Sequence, residues 1–364
     1  MATFYIACGG TGGHLYPGLA VAEQLHRNGH EVRLFVSPKK IDQEILSAHP
    51  EFKHSIVQLT GFPGVRPALV RFGWQFIAAF LESRKLLKQE RPQAVLGMGG
   101  FSCAPLLLAS SGLKIPSYIH ESNVIPGKAT RLLRCVVDKV FIGFKSCADY
   151  LTGAVTVWTG TPVRSSLVTA DTTGLREVWG IAESAIVIAI TGGSQGARGL
   201  NQLVCDALEE LKEYQQQLCF IHLTGSGDAT EWSCAYEEHG ICAHVMEFSH
   251  EIEKIFGAAD IVVARSGAAT LTECAWFGLP AILVPYPYAA EKHQNFNAQE
   301  YVDFGGGYLV EEGLDAKEQF VEKLIELISS EQKRNQLKAN ITAARVENAV
   351  ERVVAEIGGG TSHA

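Results

Sequence analysis

Two glycine-rich turns carry the residues best placed to do chemistry. The first is Gly9-Gly10-Thr11-Gly12-Gly13-His14, entered from Phe4-Tyr5-Ile6-Ala7. The second is Gly192-Gly193-Ser194-Gln195-Gly196-Ala197-Arg198, entered from the apolar run 185–190. Glycines at this density let a backbone approach a ligand closely. A helix opening there aims unpaired N–H groups and its positive dipole end at the ligand, so phosphate or an oxyanion is the expected guest. His14 stands beside that nest of amides. A neutral imidazole near a positive helix end resists protonation, which suits a general base; the alternative is a histidine that caps the helix. The turn is not a dinucleotide fingerprint. The third glycine of that pattern would fall at Leu15, so the helix-packing glycine is missing, and no Walker lysine follows.

The second turn, with Arg198 and Asn201 after it, reads as a diphosphate cradle. Further on, Arg265-Ser266-Gly267-Ala268-Ala269-Thr270-Leu271-Thr272-Glu273 again runs strand, turn, helix. Its amides suit a phosphate. Glu273, one turn in, suits the vicinal diol of a ribose, because a carboxylate accepts from hydroxyls and repels phosphate. Gln294 and Asn297 offer amides to a sugar's hydroxyls. No Asp-x-Asp metal motif is present.

The elements that must position these residues alternate between strand and helix along all 364 residues, as parallel sheets with crossover helices do. Strands are expected near 4–7, 32–36, 56–59, 94–97, 117–120, 139–142 and 155–159. A fresh series follows near 186–191, 218–223, 244–248, 261–264 and 281–285. Gly160-Thr161-Pro162 ends the first series, which places a domain boundary after Arg164. The length fits two domains. Nine cysteines without a CxxC pair, with Cys8, Cys103, Cys219 and Cys274 in apolar runs, indicate reduced buried thiols, no disulfide framework and no zinc site. The N-terminus has no signal-peptide pattern and no apolar run is long enough to span a membrane, so a cytoplasmic protein with at most peripheral membrane contact is expected. Residues 1–164 carry 18 Lys and Arg against 10 Asp and Glu, whereas the remainder carries 13 against 29. A basic half on an acidic chain points to an anionic partner: a membrane surface, a phosphorylated substrate or nucleic acid. Within 67–81 the only polar side chains are Arg71 and Gln75, so this helix is either buried on most sides or touches lipid. Phe72, Trp74, Phe76 and Phe80 are its candidate lipid contacts, and Arg66, Arg84, Lys85, Lys88 and Arg91 flank it.

Six motifs, in order, carry a resemblance. They are the first glycine turn, Gly97-Met98-Gly99-Gly100-Phe101, His120-Glu121-Ser122-Asn123, Gly160-Thr161-Pro162-Val163-Arg164, the second glycine turn, and Arg265 through Glu273. Together they resemble the MurG family of peptidoglycan N-acetylglucosaminyltransferases. The resemblance implies an α/β GT-B fold: two Rossmann-like doubly wound domains over 1–164 and 165–342 with a cleft between them, and a last helix near 343–358 packing back on the first. It implies inverting transfer of GlcNAc from UDP-GlcNAc to the MurNAc 4-hydroxyl of lipid I, giving lipid II, with no cofactor or tightly bound metal. Thr11, Gly12, Gly13, Asn123, Arg164, Ser194, Gln195, Ser249, the 268–273 stretch, Gln294 and Asn297 would then bind UDP-GlcNAc. Glu121 is the candidate base after His14. The implied partners are lipid I, anionic phospholipid on the cytoplasmic face of the membrane, and other cell-wall and division proteins, with no nucleic acid. Three residues depart from the family's usual pattern: Ser122 for Gln, Phe101 for Tyr, and Ser249 for Ile.

Three rival readings stand beside this one. A UDP-GlcNAc 2-epimerase shares the fold but needs neither lipid nor acceptor. A nicotinamide-dependent oxidoreductase is disfavoured by the missing third glycine. The third is a catalytically silent sugar-nucleotide regulator at the membrane.

Overall fold

The computed structural model describes residues 1–10, 12–59, 66–193, 196–225 and 229–359. It divides into two compact units, Met1–Ser165 with Val346–Ala364, and Ser166–Arg345. The first unit holds β1 (Thr3–Ala7), β2 (Glu31–Val36), β3 (Lys53–Ile56), β4 (Ala94–Gly97), β5 (Ser117–Glu121), β6 (Lys139–Ile142) and β7 (Thr156–Trp158). They pair in parallel in the order β3-β2-β1-β4-β5-β6-β7. The second unit holds β8 (Ile186–Thr191), β9 (Leu218–Leu223), β10 (Cys242–Met246), β11 (Ile261–Ala264), β12 (Ala281–Leu283) and β13 (Gly307–Leu309). These are also parallel, in the order β10-β9-β8-β11-β12-β13.

Both sheets are doubly wound, and each reverses strand order beside its first strand, between β1 and β4 and between β8 and β11. A crevice opens outside the strand carboxyl ends at such a switch point. Helices on both faces make the central strands apolar on both sides. In β1, Phe4 and Ile6 enter one buried cluster while Tyr5 and Ala7 enter the other. Helix α1 (Gly12–Arg27) covers the first face with Leu15, Leu19 and Leu25. The helix Ala349–Gly358 joins it there through fully buried Val353 and Ile357. Lys139 Nζ, 2.7 Å from Glu356, ties that helix to β6.

Several sequence expectations are corrected. The strand expected at 56–59 is β3, ending at Ile56; Val57 still donates to Val36 O, but Leu59 N then turns back onto Val57 O. The strand expected at 244–248 is β10, which stops at Met246 before exposed Glu247 and Phe248. β13 is unforeseen because Gly305-Gly306-Gly307 reads as loop. Gly307 must be glycine there, since a Cβ would lie 1.9 Å from Ala281 O. The helix expected over 343–358 is interrupted: one helix ends at Ala344, Arg345 is extended at ψ 151°, and the last starts at Ala349. Cys219 is not a free thiol. Parallel register sets it directly across from Cys242, Cα to Cα 4.6 Å, and the two form a disulfide. Sequence spacing gives no hint of that pairing, because it arises from sheet register. Cys219, Cys242 and His244 are the one cluster of metal-ligand residue types among the described residues, and with the two cysteines joined as a disulfide it offers no thiolate to a metal. It starts at the strand entries of β9 and β10, away from the glycine turns.

Helix α3 (Arg66–Glu90) is longer than its apolar core segment. Phe72, Phe76 and Phe80 pack against the first unit's core, so they are corrected from lipid-contact candidates to packing residues. The outward face is nevertheless apolar: Leu69, Val70, Trp74, Ile77 and Leu81 are all exposed, Trp74 by 71%. Among the described residues no helix is long and apolar enough to cross a membrane.

Candidate functional site

In the first unit the site residues gather at the carboxyl ends of β1, β4, β5 and β7. The β1 exit runs into α1 at Gly12, with no acidic residue in the helix's first turn to compete for its amides. Gly9 is compulsory: a Cβ there would lie 2.2 Å from Ser37 N at the β2 exit. Half-buried His14 presents its ring to the β4 exit. Gly99 and Gly100, at φ 96° and 75°, lie so close that a Cβ on Gly99 would meet Nε2 at 3.2 Å. Burial pushes the His14 pKa down, while the charges of Glu121 and Asp42 pull it back up. The ring is thus neutral at rest, with two carboxylates ready to stabilise the imidazolium once it accepts a proton.

Glu121 ends β5 and is buried. Its Oε1 accepts from Asn123 N (3.1 Å) and Asn123 Nδ2 (3.0 Å). Its Oε2 accepts from Gly127 N (2.8 Å) and Thr130 Oγ1 (2.7 Å). Four donors occupy the lone pairs of an ionised carboxylate. Glu121 is therefore corrected from candidate base to positioning residue, shaping the Ser122–Gly127 loop and orienting Asn123. His120, fully buried, donates Nε2–H to Gly160 O (2.9 Å), and because that carbonyl can only accept it fixes the tautomer, leaving Nδ1 to accept from the Ser122 hydroxyl (3.3 Å). That bond ties β5 to the turn after β7, from which the Arg164 guanidinium stacks 4.1 Å over Tyr16 of α1. Gly12, Gly13, His14, Asn123 and Arg164 all belong to this unit; Thr11 lies outside the described residues.

In the second unit the glycine turn leaves β8. A Cβ on Gly192 would lie 2.3 Å from Ala197 Cβ, so the turn folds tightly onto the helix Arg198–Asp206. Ser194 and Gln195 lie outside the described residues. Asn201 is corrected. It is buried, bonded to Thr224 O (3.0 Å) and His222 (3.2 Å), and braces the β9 exit instead of cradling diphosphate. Arg198 is exposed, 3.8 Å from Glu231.

The β11 exit feeds the helix Ala268–Phe277 from Gly267, which has no side chain to cap the helix's first amides. Leu271 N already bonds Gly267 O (3.0 Å) and its side chain is core, while the Thr272 hydroxyl donates to Ala268 O (2.8 Å). The candidate ligand contacts of the stretch therefore narrow to the amides of Ala268, Ala269 and Thr270 and the half-buried Glu273. Leu271 and Thr272 are structural. Gln294, near the start of the helix His293–Asp303, is bonded through Oε1 to Tyr286 N (2.9 Å), which leaves its NH₂ to donate. Asn297 is corrected: fully buried, it donates to Ser266 O (3.2 Å) and cannot read a sugar hydroxyl. Ser249 lies past β10, its hydroxyl accepting from Glu251 N (3.0 Å).

Four residues have roles that the sequence reading did not give them. Gly18 is the helix-packing glycine thought missing: a Cβ there would lie 2.5 Å from Cys8 Cβ. Its signal, a lone glycine one turn beyond the expected place, was present. Asp42, in helix α2 (Lys40–Ser47), is fully buried and accepts Gly10 N at 3.0 Å. Arg265 clamps Val284 O (3.1 Å) and Pro285 O (3.0 Å) and pairs with Glu312 at 2.5 Å, joining the β11 and β12 exits. Thr130 completes the Glu121 cluster.

The glycosyltransferase family 28 N-terminal domain matches residues 4–142, and the family's C-terminal domain matches residues 187–353. A Geobacter sulfurreducens protein named UDP-N-acetylglucosamine–N-acetylmuramyl-(pentapeptide) pyrophosphoryl-undecaprenol N-acetylglucosamine transferase is 37% identical, over 84% of each chain. The crystal structure of Acinetobacter baumannii MurG superposes with a TM-score of 0.77 at 26% identity, covering 98% of this chain and 99% of that one. The chain belongs to the MurG branch of glycosyltransferase family 28. Its two doubly wound units are those of a GT-B glycosyltransferase. A UDP-GlcNAc 2-epimerase from Neisseria meningitidis, bound to UDP-GlcNAc, shares the fold with a TM-score of 0.71 at 15% identity, over 99% of this chain and all of that one.

Proposed function

We propose that this chain transfers N-acetylglucosamine from UDP-GlcNAc to the MurNAc 4-hydroxyl of lipid I, forming lipid II with inversion at the anomeric carbon. The observation that carries the mechanism is His14, an imidazole set against the Gly99-Gly100 turn at the mouth of the first unit's switch-point crevice, desolvated by burial and within the field of two carboxylates. His14 takes the acceptor hydroxyl proton as the oxygen attacks the anomeric carbon, and the bond to UDP breaks in the same step. Oriented amides, which need no reorganisation, stabilise the diphosphate as charge develops on it. Those amides open the helix Ala268–Phe277 and the two glycine turns, Glu273 holds the ribose, and Gln294 donates to the sugar. With no Asp-x-Asp motif in the chain, UDP departure is assigned to these groups without a bound metal.

Lipid I resides in a membrane, and the exposed apolar face of α3 is the proposed contact with anionic phospholipid on its cytoplasmic side. Arg84, Lys85, Lys88 and Arg91 near the α3 end supply positive charge. Contacts with other cell-wall and division proteins belong to the same proposal.

An assay of UDP release with and without lipid I tests the reading. Release that depends on lipid I, with His14→Ala slower by about 10²-fold, is expected. Epimerised UDP-sugar formed without acceptor would overturn it in favour of the epimerase.

A further inference from the structure

We propose that Asp42 is a positioning residue for this transfer, pinning the first glycine turn through Gly10 and lending His14 a buried negative charge as it takes the proton. The proposal rests on His14 being the base. Asp42 is completely buried in the first turn of α2. Three donors converge on its Oδ2: Gly10 N at 3.0 Å, Ser37 N at 3.0 Å and Ser37 Oγ at 2.6 Å. Its Oδ1 is buried with no hydrogen-bond partner. A purely structural tie would be met as well by a neutral amide, at far lower desolvation cost. A carboxylate with one oxygen left bare is an expensive way to hold a turn, so the charge itself needs a use.

That use lies next to it. The Gly10 peptide, at φ 123°, is gripped from both sides, its N–H by Asp42 and its C=O by Lys39 Nζ. This clamp sets the path of the backbone into α1 and so the place of His14, four residues on. Asp42 and Glu121 favour the protonated form of His14, and Lys39 opposes it. Buried His120 is a neutral neighbour whose own protonation is held down by burial, and the Gly99-Gly100 turn against the ring carries no charge. Glu121 has all its lone pairs engaged, which leaves Asp42 as the carboxylate with unspent acceptor capacity near the base.

Asp42→Asn keeps the shape and an acceptor for Gly10 but removes the charge. The full chain should fold and bind UDP-GlcNAc within about threefold of wild type, while kcat falls by about tenfold or more, the scale on which general-base efficiency responds. The acid limb of the kcat–pH profile should move to lower pH, because the imidazolium has lost a stabilising charge. In a His14→Ala background the same substitution should cost no further turnover, as coupled residues behave in a double-mutant cycle. A wild-type acid limb and kcat in Asp42→Asn, or an equal loss with His14 absent, would overturn the proposal. If Asp42→Asn does not fold, Asp42→Glu decides: charge retained, it should keep the acid limb in place while donor KM rises, and a displaced limb counts against the idea. His14→Ala with undiminished kcat would sink the base reading itself, whatever Asp42 does.

Discussion

Asn123 is held by Glu121 through two hydrogen bonds to one carboxylate oxygen, its backbone N–H at 3.1 Å and its side-chain amide at 3.0 Å. The Asn123 amide is thus aimed before any ligand arrives. Glu121→Gln should reveal this role, since an NH₂ would replace one acceptor and face two donors. We expect a loss of about 1–3 kcal/mol in unfolding free energy together with weaker UDP-GlcNAc binding. A stable variant with normal donor affinity and only kcat abolished would restore Glu121 as the base.

Glu273 is half-buried in the second turn of a helix whose first amides no side chain of Gly267 can cap. Glu273→Ala should weaken UDP-GlcNAc binding by about 1.5–3 kcal/mol, the range for hydrogen bonds to a charged group. Calorimetry on the folded variant checks it, and unchanged affinity removes the ribose role.

The two faces of α3 predict opposite behaviour for residues two apart. Trp74→Ser, on the exposed face, should lower binding to anionic vesicles and leave the melting temperature unchanged. Phe76→Ser, packed on the core, should cost up to about 3 kcal/mol of stability with little effect on vesicle binding. Added salt should weaken vesicle binding of the wild type, because charge attraction is screened within about 8–10 Å. Melts and vesicle co-sedimentation of both variants decide between docking and packing.

Burial holds His222 down to about 4, where it bridges Asn201 and Tyr236. Its folded value lies below the unfolded one, so the unfolded chain binds the proton more tightly. The native state is therefore favoured fully above about pH 6.5 and loses up to about 1.4 kcal/mol per pH unit from this group as pH falls toward 4. Buried His120 acts in the same direction. Denaturant melts between pH 7 and 4.5 should show this fall, with a shallower slope in His222→Gln. An identical slope in that variant would clear His222 of the effect.

Local order in the chain was enough for the two parallel sheets and for the helices that follow their glycine-bearing strand exits. Apolar runs of strand length, glycines where backbones must touch, and helix starts after each are one-dimensional signals, and the fold amplifies them without altering them. His14 and Glu273 sit on the helices that follow their turns, and Arg164 lies in the stretch after β7. What the sequence could not resolve was how each polar residue spends its hydrogen bonds. Glu121 looks like a base in sequence and Asn201 and Asn297 look like ligand-binding groups, yet each has its capacity taken by neighbours, two to nine residues away for Glu121 and more than twenty for the two asparagines. Asp42 was invisible because its partner Gly10 lies 32 residues earlier. The same holds for the Cys219–Cys242 pairing and for the divided face of α3. These are decided by register and packing between distant segments, where a polar group's role depends on what already satisfies it.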